Sequence, residues 1–134
     1  MNHGQKSIDE LLGMPCWVID TLPKRVPENS PGQYFTANRY FRDTQLESIR
    51  QKHANIILKL NCYEDIALED EINPAPERLI AEMRSGYVNI RVGDALITSD
   101  KDDPYIAVFN AGEELMSLIR ELAASEGLFV RKGQ

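Results

Sequence analysis

At 134 residues, 43% of them hydrophobic and 27% charged, the chain suffices for one domain with its own core and is too apolar for a disordered polymer. No apolar run approaches the roughly 20 residues of a membrane-spanning helix, which argues against a membrane protein. The formal net charge of −6 argues against nonspecific nucleic-acid binding, which depends on neutralising phosphates.

In chain order, Ser7 and Glu10 make a capping box around Ile8, Leu11 and Leu12, and Gly13 and Pro15 end the turn. This opening stretch holds no apolar secretory signal, so the expected compartment is the cytoplasm. Residues 16–20, CWVID, are dense in strand formers. Residues 22–32 carry Pro23, Pro27, Pro31 and Gly32 and read as an exposed loop. Residues 33–41, QYFTANRYF, alternate as a strand would. Phe35, Ala37 and Phe41 point one way and Tyr34, Thr36, Asn38 and Tyr40 the other, with Arg39 the exception on the apolar face.

Thr44 and Glu47 form a second capping box, opening a helix. Beyond it two readings compete. A helix continuing from 44 to 60 would line Leu46, Ile49, His53, Ile57 and Leu60 on one face. A switch to a strand near Asn55 is favoured by the alternation of Ile56, Leu58, Leu60 and Cys62. Residues 64–73 form an acidic loop, after which Asn73 caps a helix with Pro74 in its first turn, apolar Leu79, Ile80 and Met83, and a stop at Gly86.

Residues 87–92 and 95–99 are strands joined at Gly93–Asp94, and 105–109 is a third. Asn110 and Glu113 open a helix over about 111–126, whose stripe of Leu115, Leu118, Ile119 and Leu122 is assigned to the core. Gly127 ends it, and a closing strand follows. The order β-β-α-β-α-β-β-β-α-β predicts a single α+β domain over residues 1–134. Its sheet should be mixed or largely antiparallel, with helices packed mainly on one face.

The chemistry is sparse. SDKDDPY, residues 99–105, packs three aspartates into four positions, yet an EF-hand counted from Asp100 would need a ligand at Pro104, glycine at Tyr105 and glutamate at Ala111. The stretch reads as a hairpin turn. Cys16 and Cys62 share no CxxC and no zinc spacing, so both are expected as free thiols buried like small hydrophobes. His53 and Cys62 make no dyad: nine residues span about 13 Å and half a turn on a helix, and roughly 30 Å on a strand. No glycine-rich phosphate cradle is present, and neither a metal nor a cofactor is expected.

Residues 1–60 hold eight Lys/Arg against six Asp/Glu, while residues 61–134 hold seven against fifteen. With tyrosine and arginine enriched at interfaces, this split favours a non-catalytic interaction or regulatory module that binds another protein through Tyr34, Arg39, Tyr40 and Arg42. A homo-oligomer is compatible with that reading. The alternative is a small enzyme or small-molecule-binding domain with a site near Asp20, Cys62 and Asp65, residues at or just past predicted strand ends. Single-strand nucleic-acid binding along Arg39–Lys59 is disfavoured by the net charge.

Overall fold

The stretches expected as strands at 87–92, 95–99 and 105–109 build the centre of one antiparallel sheet, the third beginning at Ile106. The computed structural model describes residues 6–133; residues 1–5, which open the stretch read for a secretory signal, lie outside the described residues, as does 134. The elements are α1 (Ile8–Leu12), β1 (Cys16–Asp20), α2 (Tyr34–Leu60), β2 (Ala67–Leu68), β3 (Glu71–Ile72), α3 (Pro76–Ser85), β4 (Tyr87–Val92), β5 (Ala95–Asp100), β6 (Ile106–Phe109), α4 (Glu113–Ser125) and β7 (Phe129–Lys132). Among the described residues the seven strands order as β3-β2-β4-β5-β6-β1-β7, every neighbouring pair antiparallel. The expected single α+β domain is the one observed.

Register sorts the strand residues onto two faces. Ile90, Ile97, Val108 and Trp17 form one cross-strand row, and Val88, Ser99, Ile106 and Ile19 the next. Against them pack Ile56, Ile57 and Leu60 of α2, Leu79 and Met83 of α3, and Met116, Ile119 and Ala123 of α4, in one buried cluster. Each large side chain sealed there contributes roughly 1.5–3 kcal/mol of transfer free energy. The row Arg91, Leu96, Phe109 and Cys16 faces the other way. There α1 packs against β5, Leu11 and Leu96 are both buried, and the Arg91 guanidinium donates to the Lys6 carbonyl at 3.2 Å. Among the described residues three helices therefore lie on one face and one short helix on the other. Among the described residues no helix is long and apolar enough to cross a membrane.

Several local expectations are corrected. Residues 33–41 are not a strand: they open α2, a helix of 27 residues that runs unbroken to Leu60. The aromatic positions suit a 3.6-residue repeat as well as a two-residue one, and no breaker stands between Gln33 and Leu60. The strand expected from Asn55 fails for a related reason. Ile56 and Ile57 are both buried, so the apolar run has no polar parity to expose. Thr44 caps nothing; its hydroxyl donates to the Tyr40 carbonyl inside the helix at 2.7 Å.

The acidic loop 64–73 contains a tight hairpin of β2 and β3, its turn carried by Glu69 at φ 56°. Asn73 and Asn110 do not cap helices. Both sit at positive φ, and Ala75 and Gly112 take the cap positions instead. Gly127, at φ +73°, ends α4 as expected, with the Leu128 amide bonded to the Ala123 carbonyl at 2.9 Å.

The α4 stripe docks on the sheet slightly rotated from the expected face. Met116, Ile119, Leu122 and Ala123 are buried, whereas Leu115 and Leu118 are half-buried at the margin. Ile119→Ala should cost about 2–5 kcal/mol and Leu118→Ala clearly less, because only the first leaves a sealed cavity. Equilibrium urea unfolding of the two variants checks the ranking; a Leu118 variant as damaged as the Ile119 one would reverse it.

Candidate protein interface

Spacing within α2 explains the most unusual feature of the molecule. Phe35, Arg39, Arg42, Leu46, Ile49, His53, Ile56 and Leu60 recur at alternating steps of four and three, which places them along one seam of a helix. In the second half the seam is core: Ile49, His53, Ile56 and Leu60 are all buried. In the first half it runs past the sheet. From Tyr34 to Ser48 no residue is buried, and only Asn38 and Leu46 are half-covered. This overhang is about 22 Å long at 1.5 Å per residue.

The overhang gathers four exposed aromatic side chains within eight residues. Phe35 is 84% exposed and Tyr40 59%, with Phe41 and Tyr34 also in water. The rings stack edge-on in pairs, Tyr34 with Phe35 and Tyr40 with Phe41. One flank, with Tyr34, Ala37 and Phe41, lines an apolar hollow of about 290 Å³ together with Leu22 and Val26 of the loop after β1. The seam itself looks into an open cleft of about 840 Å³, lined by Phe35, Arg39, Arg42, Asp43, Leu46 and, across from them, Asp102.

The base of the overhang is held by Arg50. Its guanidinium donates to the carbonyls of Asp100 (2.6 Å) and Met83 and to the Ser99 hydroxyl (3.4 Å). The Met83 carbonyl belongs to the last turn of α3, one of the acceptors a helix end leaves without an internal partner. Burial pulls the guanidinium below its usual range, and the carboxylates of Asp100, Asp102, Asp103 and Glu47 push the other way. One turn further on lies His53, fully buried, with no partner for either ring nitrogen among the described residues. Burial first, and the Arg50 charge second, lower its pKa to about 3. Outward from Arg50, Glu47 meets Arg84 at 2.8 Å and the Arg42 guanidinium donates to the Asp102 carbonyl at 3.3 Å. Both contacts are exposed and add little rigidity.

SDKDDPY is the β5–β6 turn. The Asp102 amide donates to the Asp100 carboxylate (3.0 Å), the Asp103 amide to the Asp100 carbonyl (3.1 Å), and Lys101 pairs with Asp102 (3.1 Å). Burial and the neighbouring Asp100 hold Asp103 above its ordinary range, partly offset by Arg42. Among the described residues no group of three or more His, Cys, Asp or Glu is arranged to hold a metal ion.

Of the residues singled out from the sequence, Tyr34, Arg39, Tyr40 and Arg42 all fall on the overhang. Arg39 and Arg42 share the seam, while Tyr34 lies on the flank facing the loop and Tyr40 on the far side. Asp20, Cys62 and Asp65 are not brought together. Asp20, paired with Arg131 at 3.1 Å, stands at the hairpin end of the sheet. Cys62 and Asp65 follow the opposite end of α2. There Asp65 accepts from the Asn73 amide and borders an acidic cleft with Glu64, Asp94 and Glu114. Cys16 and Cys62 are free, but neither is buried as expected: Cys16 is half-buried, and Cys62 is exposed, its thiol donating back to the Leu58 carbonyl. Sequence reasoning missed Phe35 and Leu46 as partners of the arginines, although the heptad spacing that joins them is legible without coordinates. Compared with family models, curated proteins and solved structures, the chain matches none.

Proposed function

We propose that this chain is a non-catalytic protein-interaction module whose docking element is the first half of α2. The observation that supports it is the exposure of Phe35 and Tyr40 on a helix that the fold anchors at Arg50 and then leaves without a sheet behind it. Fully burying a phenylalanine is worth about 1.5–3 kcal/mol, so an overhang of this composition favours a covering surface. Tyrosine, phenylalanine and arginine are also the residue types enriched in interface centres.

The double substitution Phe35→Ser with Tyr40→Ala should reduce capture of a partner from cell extract at least ten-fold. Far-ultraviolet circular dichroism should stay that of the wild type, since neither side chain contributes to the core. Undiminished capture by the folded variant would remove the overhang from the interface.

A further inference from the structure

We propose that the seam Phe35–Arg39–Arg42–Leu46 takes an acidic amphipathic helix of another protein, with carboxylates in the middle and an apolar anchor at each end. This deepens the docking reading and rests on it. The seam presents its chemistry in order along one stripe: a phenylalanine at the outer end, two arginines, then a leucine at the mouth of the core. A partner helix laid along it would set apolar side chains against Phe35 and Leu46, as the buried half of the same seam does against the sheet.

Charge decides what lies between those anchors. Among the described residues neither Arg39 nor Arg42 has an ion-pair partner, and the hydrogen bond of the Arg42 guanidinium goes to a carbonyl. Asp102 across the cleft already pairs with Lys101. Asp43 and Asp102 line the same cleft, yet neither guanidinium is bonded to a carboxylate, so both keep donors free for carboxylates of a partner, which they bind through strong charge-assisted hydrogen bonds.

The same arithmetic rejects a second copy of this chain. An antiparallel crossing that brings Phe35 against Leu46 of the copy also brings Arg39 against Arg42 of the copy, twice. A parallel crossing stacks each arginine on itself. Like charges juxtaposed in this way repel.

The test uses the full chain and two synthetic peptides. One carries the sequence of residues 34–48 unchanged; the other carries it with Arg39→Glu and Arg42→Glu, so that anchors and length are identical and only the central charges differ. Fluorescence anisotropy should give a dissociation constant for the glutamate peptide at least ten-fold below that of the unchanged peptide, with the gap narrowing as salt rises. The Arg39→Glu, Arg42→Glu protein should reverse the preference. Equal affinity for both peptides, or no binding of the glutamate peptide below about 1 mM, overturns the acidic-helix proposal. Preferred binding of the unchanged peptide, or a concentration-dependent dimer that Phe35→Ser abolishes, places a second copy on the seam and overturns it too. The broader docking reading is judged separately: it survives such a result if Phe35→Ser with Tyr40→Ala still reduces capture at least ten-fold, and falls if capture is undiminished.

Discussion

Lowering the pH from 7 to 4.5 should cost the wild-type fold about 2–3 kcal/mol more than it costs a His53→Leu variant. The imidazole of His53 is fully buried, and its pKa falls from 6.5 to about 3 through burial and the nearby Arg50 charge. In the unfolded chain the ring takes a proton as the pH drops below about 6.5; in the folded protein it stays neutral until about 3. The unfolded state thus binds more protons throughout that window, and stability falls with pH by up to about 1.4 kcal/mol per unit. Leucine has no proton to gain, so the variant keeps only the acid sensitivity of its carboxylates. At pH 7 it should also be the more stable protein, by about 1–3 kcal/mol, because two buried nitrogens without partners are gone. Urea unfolding of both proteins at the two pH values measures this directly. Parallel losses would mean that folded His53 accepts the proton.

Arg50→Met should be the more damaging change, at about 3–5 kcal/mol, the range for removing one partner of a buried charged network. The guanidinium bonds two carbonyls from different elements and the Ser99 hydroxyl, and a thioether satisfies none of them. Arg50→Lys should lose a smaller part, since one ammonium group keeps the charge but not the planar fork that reaches α3 and β5 together. Removing the positive charge also relieves His53, whose pKa should rise. In the double-mutant cycle the two substitutions should therefore be non-additive, as expected of residues one turn apart. A loss below about 1 kcal/mol for Arg50→Met would show the bonds to be replaceable by water.

How much of this was legible in the sequence depended on whether one face of a segment was polar. The strand 87–92 alternates cleanly and was readable, as were the Gly93–Asp94 turn that joins it to the next strand and the glycine that ends α4. Residues 34–60 were not, because the overhang leaves apolar aromatics in water and the other half buries an arginine and a histidine. Each half inverts the pattern by which a helix is recognised. The constant across both is the four-three spacing, which only a single continuous helix exploits. For the candidate interface, the arginines and tyrosines were found from residue type, whereas Phe35 and Leu46 needed the seam. The asparagines misled for a local reason: Asn73 and Asn110 tolerate positive φ and bond neighbouring loops, a use that competes with capping.

The sheet order has a consequence for how the molecule comes into being. The first strand in the chain, β1, ends up between β6 and β7, the last two. On a ribosome adding about 5–20 residues per second, Cys16–Asp20 emerges roughly 5–20 s before any strand that will flank it. During that interval Trp17, Val18 and Ile19 form a short apolar segment with both edges open, while β4, β5 and β6 have only neighbouring hairpins to close. Nascent chains of this design complete their middle first and admit their beginning late, so the interval before β6 and β7 arrive is when mispairing with another chain competes with folding.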